Sequence, residues 1–211
     1  MPFATIDPTK TGLLFFDMLN VYYRNPDNKQ VKNKALEAVM ANAVLLRDAA
    51  RAANIPIFYA IADHRADGTD TDPILTDTDH GLKPWKDPER IGRQVPAARH
   101  GSWEARVIDE IAPGPDDYLI YKHRWSSFHQ THLELSLRAR GLDTLLVSGG
   151  ATEIGVASTA YSARDMGIHQ IIVRDACSCS NPEIIAMFMD KVFPKMGRVR
   201  TTKQAIEMIQ K

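Results

Sequence analysis

Three things are scarce in this chain of 211 residues. No apolar run approaches the roughly 18 residues that a membrane-spanning helix needs, so no bilayer span is expected. Charge of one sign is missing as well. The 26 basic side chains are matched by 26 acidic ones, a formal net charge of +0. No basic stripe or block stands out, which argues against nucleic acid and against anionic membrane surfaces. Cysteine is nearly absent, with only Cys177 and Cys179. A disulfide between positions i and i+2 would close a strained ring, so the expected setting is a reducing, cytoplasmic compartment. The N-terminus MPFATIDPTK lacks a basic stretch followed by an apolar one, so no secretory signal is expected.

What is present is apolar content, 44% of residues, enough for one domain with a sizeable core over residues 1–211. Its pattern alternates. Short apolar runs at 11–18, 55–62, 118–122, 144–150 and 169–177 read as buried strands. Stretches with apolar residues at helical spacing lie at 31–53, 102–112, 131–141, 155–167, 182–194 and 202–211. Glycines 141 and 167 stand where helices end, and Pro182 where one begins. Residues 63–102, rich in Asp, Gly, Pro and His, read as a long functional loop. Strands alternating with helices predict a parallel sheet covered on both faces.

In such sheets the site lies at the carboxyl ends of the strands, near the switch in strand order. That rule selects Asp17, residues 62–64, Lys122, the turn 149–155 and Asp175. Asp17 follows four large apolar residues in LLFFD. Partial desolvation there raises a carboxyl pKa and suits acid/base work, although a helix cap or structural ion pair reads the same way. Lys122 ends YLIYK and can supply a cation to a carboxylate or oxyanion, or be a plain exposed strand end. A lysine near Asp17 lowers the carboxyl pKa while burial raises it, and both readings stay open.

The motifs combine. D-x-x-N at Asp17 and Asn20 is followed by K-x-R-x-S-x-F at Lys122, Arg124, Ser126 and Phe128. Then comes G-x-x-T-x-x-G-V-x-x-T-A from Gly149 through Thr152, Gly155, Val156, Thr159 and Ala160, and last DAC-S from Asp175 to Ser178. In this order they resemble the isochorismatase-like hydrolase, or cysteine hydrolase, superfamily from about residue 10 to about 200. The resemblance implies an α/β fold: a three-layer α/β/α sandwich with a Rossmann-like parallel sheet of about six strands. It also implies a small-molecule hydrolase working as a homo-oligomer, dimer or tetramer, without a cofactor. In its amidase branch a cysteine at the helix start attacks an amide, with Asp and Lys beside it. Here Gly155 stands at that cysteine's place, as in true isochorismatases, which hydrolyse a vinyl ether without a covalent intermediate and where loss of the thiol leaves room for substrate or water.

Carried over, Asp17 is the acid/base, Lys122 the electrostatic partner and Gly155 part of the catalytic turn. Asn20, Arg124, Phe128, Gly150, Ala151 and Thr152 surround the substrate, with the Ala151 and Gly155 amides as oxyanion donors. Family members hold a cis bond at Gly150–Ala151. The chain departs from isochorismatases at Ala62, where they carry glutamine, and its loop holds Asp70, Asp72, Asp77 and Asp79; both point away from isochorismate itself. Nicotinamidases bind a metal through D-x-H and a downstream His. Asp63 and His64 are adjacent here and project oppositely on an extended chain, so no metal is expected, and His80 and His100 read as solvated loop residues. His123 is expected at the surface or a subunit contact. Cys177 could replace the lost nucleophile, or be a small buried core residue.

Overall fold

The computed structural model describes residues 5–71 and 96–210. Its frame is a six-stranded sheet in the order β3-β2-β1-β4-β5-β6, every pair parallel. The strands are β1 (Thr11–Phe16), β2 (Ile57–Ala62), β3 (Tyr118–Lys122), β4 (Thr144–Gly150), β5 (His169–Ser178) and β6 (Arg198–Arg200). The helices are α1 (Asn20–Tyr23), α2 (Lys34–Ala52), α3 (Leu133–Ala139), α4 (Ala157–Asp165), α5 (Pro182–Met187) and α6 (Thr202–Ile209).

Alternation along the buried strands explains the layers. In β1, Leu13 and Phe15 point to one face, where Val39, Met40, Ala43 and Leu46 of α2 and Ala205 and Met208 of α6 meet them. Leu14 and Phe16 point to the other, against Leu133 and Leu137 of α3, Ala157 and Ala160 of α4, and Phe193. The result is a three-layer α/β/α sandwich. Helix starts follow local chemistry: the Asn33 side chain accepts from the Leu36 amide at 2.9 Å, and Thr201 and Gln204 form a capping box at α6.

Three expectations fail for visible reasons. Residues 102–112 form no α-helix. Their backbone pairs with the segment after β1, through Asn20 N to Arg106 O at 2.9 Å and Ile108 N to Met18 O at 3.0 Å, leaving only a 3₁₀ turn at Asp109–Ile111. The span 182–194 is helical but changes pitch after α5, to a π turn at Phe188–Val192 and a 3₁₀ turn at Phe193–Lys195. Asp175 does not end its strand. The β4–β5 register slips between Val147 and Gly149, so β5 bulges and runs on to Ser178. The Asp175 carboxylate instead accepts from the Thr202 amide at 2.7 Å and hydroxyl at 2.8 Å, at the start of α6. The short edge strand β6 and the four-residue α1 carried no periodic signal of their own.

The chain moves outward one way from β1 to β2 and β3, and the other way through β4, β5 and β6. The switch point lies between β1 and β4, whose carboxyl ends, Phe16 and Gly149, are paired.

Candidate active site

Asp17 follows β1 directly, and its φ of 46° lies in the left-handed region. Aspartate tolerates that conformation better than bulky residues do. Here the chain turns sharply and the carboxylate stays at the sheet edge. Its Oδ1 accepts from the Ala62 amide at the end of β2, at 2.7 Å. Its Oδ2 accepts from Lys122 Nζ at the end of β3, also at 2.7 Å. Both partners are buried, Asp17 at 7% exposure and Lys122 at 5%. The Lys122 ammonium also lies 4.4 Å from the centre of the Phe16 ring, within cation–π range. Burial pushes the Asp17 carboxyl above its ordinary range, against the opposing pull of Lys122 and the Ala62 amide. Desolvation is the larger effect, which decides the question the sequence left open.

The pair opens on a cavity of about 1780 Å³, lined on its floor by Phe16, Asp17, Ala62 and Lys122 and on one wall by Gly150, Ala151, Ile154 and Gly155. Phe128 and Arg124 also line it. The Gly150–Ala151 peptide is cis. After it the chain makes a π turn, Thr152–Val156, with the Val156 amide donating to the Ala151 carbonyl at 3.2 Å. Thr152 is fully buried and does not line the cavity. Its hydroxyl donates to the Ser178 carbonyl at 2.8 Å, so it ties the turn to β5 rather than capping a helix. Asn20 is buried as well and lines none of the cavity. Its Nδ2 donates to the Trp103 carbonyl at 3.0 Å, which holds the 102–108 segment against α1.

Gly155 is closely packed against β1. A Cβ built there would stand 2.1 Å from Phe16 Cζ and 2.2 Å from its Cε1. The absent side chain therefore leaves no room for substrate or water at that spot, contrary to the sequence expectation: an aromatic ring fills it. Position 150 is equally closed, since a Cβ would meet Ser178 Oγ at 2.1 Å. Cys177, on β5 beside Gly149, reaches the cavity lining but is only 3% exposed. Burial pushes its thiol up to about 12, so it is a neutral thiol at ordinary pH. No disulfide links it to Cys179.

A second group of side chains lies on the β2–β3 side. His64 and His123 line the same cavity, and both approach Asp70, at 3.6 Å (His64 Nδ1 to Oδ1) and 3.3 Å (His123 Nδ1 to Oδ2). The neighbouring Asp63 points elsewhere, to His100 at 2.9 Å, as alternation on an extended chain requires. His100 is thus paired rather than merely solvated. His123 is exposed as expected, yet turned towards His64, with ring centres 5.9 Å apart. Arg124 donates to the carbonyls of both Asp70 (2.9 Å) and His123 (2.7 Å). The sequence signal for this group was the strand-end rule, which selected His64; nothing local announced that Asp70 and His123 would join it. Asp72, Asp77, Asp79 and His80 lie outside the described residues.

Among the described residues no helix is long and apolar enough to cross a membrane. Comparison with known proteins gives one family: a model described as the Isochorismatase domain matches residues 11–204. An uncharacterized isochorismatase family protein of Bacillus subtilis (strain 168), YwoC, is 34% identical over 208 residues, covering 97% of each chain. The ureidoacrylate amidohydrolase RutB of Agrobacterium fabrum is 27% identical over 192 residues, 86% of this chain and 81% of that one. Among solved structures, an isochorismatase family protein from Burkholderia thailandensis superposes with a TM-score of 0.77 at 26% identity, covering 98% of both chains.

Proposed function

The chain belongs to the isochorismatase family and is a hydrolase of it; from that premise we propose that it adds water to a small enol ether without a cysteine nucleophile. The observation that carries this reading is the Phe16 ring in the space that any side chain at position 155 would need. A covalent nucleophile at the start of the helix has no place to stand, while the acid/base pair beside it is buried and joined at 2.7 Å.

The chemistry follows from the pair. Asp17, its carboxyl pKa raised by burial, gives its proton to the terminal carbon of the enol ether. The electron pair of the double bond forms the new C–H bond, leaving an oxocarbenium ion. Water adds to that cation and returns a proton to the Asp17 carboxylate. The hemiketal then collapses to a carbonyl compound and an alcohol. Lys122 holds the carboxylate in place and balances its charge after the proton leaves. Phe128, Arg124 and the Gly150–Gly155 backbone line the volume where the substrate sits; the Ala151 and Gly155 amides serve as oxyanion donors in the amide alternative, the one route that develops an oxyanion. Thr152 and Asn20 act from behind that lining, by holding the turn and the 102–108 segment. The reading also takes an assembly of identical chains in the cytoplasm. Its support is the exposed apolar surface at Trp125, Leu135 and Tyr161 and the absence of a disulfide between the two cysteines; light scattering measures the assembly directly.

The second reading is amide hydrolysis by activated water, favoured by the likeness to the amidohydrolase RutB. One experiment separates them. Small vinyl ethers, amides and ureas are screened with the wild-type chain and with Asp17→Asn, and the enzyme is followed by mass spectrometry during turnover. Turnover of a vinyl ether, lost in Asp17→Asn, with no adduct on the protein, is the expected result. Amide turnover without vinyl-ether turnover overturns it: with no adduct it supports activated water, and with an acyl group on Cys177 it shows a relocated nucleophile.

A further inference from the structure

Tyr23 closes α1 and is only 1% exposed, yet it reaches the lining of the cavity that holds Asp17. Ser178, the last residue of β5, lines the same cavity. Their two hydroxyls face each other at 3.4 Å. That separation is long for an O–H···O bond, whose usual range is about 2.5–3.0 Å. Among the described residues it is the hydrogen bond that each of these hydroxyls makes. Another hydroxyl pair on the cavity wall differs: Ser126 Oγ and Ser162 Oγ stand 2.8 Å apart and satisfy each other. A buried phenol normally holds a well-made hydrogen bond, so the Tyr23–Ser178 pair is open where the serine pair is closed.

The backbone fixes both groups. Ser178 pairs with Gly150 in the β4–β5 register, and its carbonyl accepts from the Thr152 hydroxyl at 2.8 Å. Its Oγ occupies the space beside Gly150, where a Cβ would stand 2.1 Å away; the glycine is what admits the hydroxyl to the wall. The Tyr23 amide donates to the Leu19 carbonyl at 3.2 Å, and its own carbonyl accepts from the Lys32 amide at 3.0 Å. Burial holds the phenol well above its ordinary pKa, and the nearby Cys177 and Asp17 push it the same way. It is therefore a neutral O–H within the field of the acid/base carboxylate.

We propose that Tyr23 and Ser178 are positioning residues that together hold the attacking water. An oxygen about 2.8 Å from each hydroxyl fits as a bridge across their 3.4 Å separation, and each hydroxyl has one donor and two acceptor sites to offer it. The lone pair of the held water forms the C–O bond to the oxocarbenium carbon. Its proton passes to the Asp17 carboxylate, and the two hydroxyls keep their own protons. The inference rests on the reading that free water is the nucleophile, and it applies to the enol-ether and the amide route alike.

The first arm of the test needs no substrate. A high-resolution crystal structure of the full chain is expected to show an ordered water within hydrogen-bond distance of both hydroxyls. The second arm uses whichever vinyl ether, amide or urea the wild-type chain turns over. Tyr23→Phe, which keeps the ring in the core, and Ser178→Ala are each expected to lower kcat by about 10-fold or more with KM nearly unchanged. The double variant loses little more than the worse single one, because the same water is lost once. With methanol added, the variants form relatively more methanol-derived product than the wild type, since capture no longer favours the held water; a merely structural role leaves that ratio unmoved. No ordered water at that point, additive losses in the double variant, or wild-type kcat and product ratio in both single variants overturns the proposal. Failure of the enol-ether reading looks different: the wild-type chain then leaves vinyl ethers intact, and both arms still read on an amide.

Discussion

The two sides of the cavity are made of different material. On the β1–β4 side the wall is backbone and aromatic ring: Gly150, Ala151 and Gly155 present no functional side chain, and Phe16 closes the space behind Gly155. On the β2–β3 side the titratable groups gather. Lys122 and the Ala62 amide hold Asp17, and His64 and His123, which line the same cavity, both approach Asp70. A helix start favours anions through its amides and dipole, so the β1–β4 side remains suited to receive a developing negative charge. Its cavity-lining groups include the Ser158 and Ser178 hydroxyls and the Cys177 thiol, which burial keeps neutral. Reactivity has to come from the opposite side. What the difference teaches is that a glycine at a chemically favourable position is not a vacancy when a neighbour has packed into it.

The strongest way to break this comparison is to neutralise the reactive side. Asp17→Asn is expected to lower kcat by about 100-fold or more, the scale of general acid–base contributions. It also strands the Lys122 ammonium in a buried place, at about 3–5 kcal/mol. The double variant Asp17→Asn with Lys122→Met recovers stability in thermal or urea unfolding but no activity. Recovery of both would place the chemistry elsewhere in the cavity.

The closed side is tested by filling it. Gly155→Ala is expected to lower stability by about 1–3 kcal/mol, the range for overpacked sites, because the Phe16 ring has to move. Gly155→Cys fares no better and yields no thiol-dependent turnover. Adding Phe16→Leu to either change returns part of the loss, and a double-mutant cycle reads the coupling directly. Additive effects at the two positions would show that ring and glycine are independent.

Much of this was legible before any coordinates. The β/α alternation predicted the layers because each strand is a short apolar run bounded by turn residues; β4 ended at Gly150 as its run did, whereas β1 stopped at Phe16, two residues short of the run read at 11–18. Asp17 and Lys122 stood out as charges at the ends of such runs. The pairing of residues 102–108 with the chain after β1 was not legible, since a backbone partner 83 to 90 residues away leaves no periodic trace. Phe16 was visible only as a core residue. Its second role, as the group that excludes a side chain at 155, depends on how β1 and the π turn approach each other across the switch point. The β5 bulge, likewise, moved Asp175 from a strand end to the cap of α6.

A smaller effect concerns protonation on the reactive side. Burial raises the Asp17 pKa, and donation to carbon needs the acid form. Turnover of an enol ether is therefore expected to be greatest at low pH and to fall as pH rises through the raised Asp17 pKa. An amide reaction that uses Asp17 as a base shows the opposite limb, with activity rising through the same interval. A pH–rate profile of kcat/KM on one substrate from each class distinguishes them, and a profile with neither limb removes Asp17 from both roles.

The smallest expected effect is on the cysteines, and it bears on whether the closed side hides a displaced nucleophile. Alkylation and attack both require thiolate. Burial holds the Cys177 thiol near a pKa of about 12, and its Sγ is turned towards the Val147 carbonyl, 3.9 Å away, an acceptor that favours the neutral S–H. At pH 8 the thiolate fraction is then about one part in ten thousand by the definition of pKa. Iodoacetamide is expected to react first with Cys179, which is less buried, and to leave turnover nearly unchanged. Cys177→Ser is expected to keep most of the activity, with at most a modest loss of stability from placing a hydroxyl at a core position. Loss of turnover that tracks modification of Cys177, measured by peptide mass spectrometry against residual rate, would show that the β1–β4 side supplies the nucleophile after all.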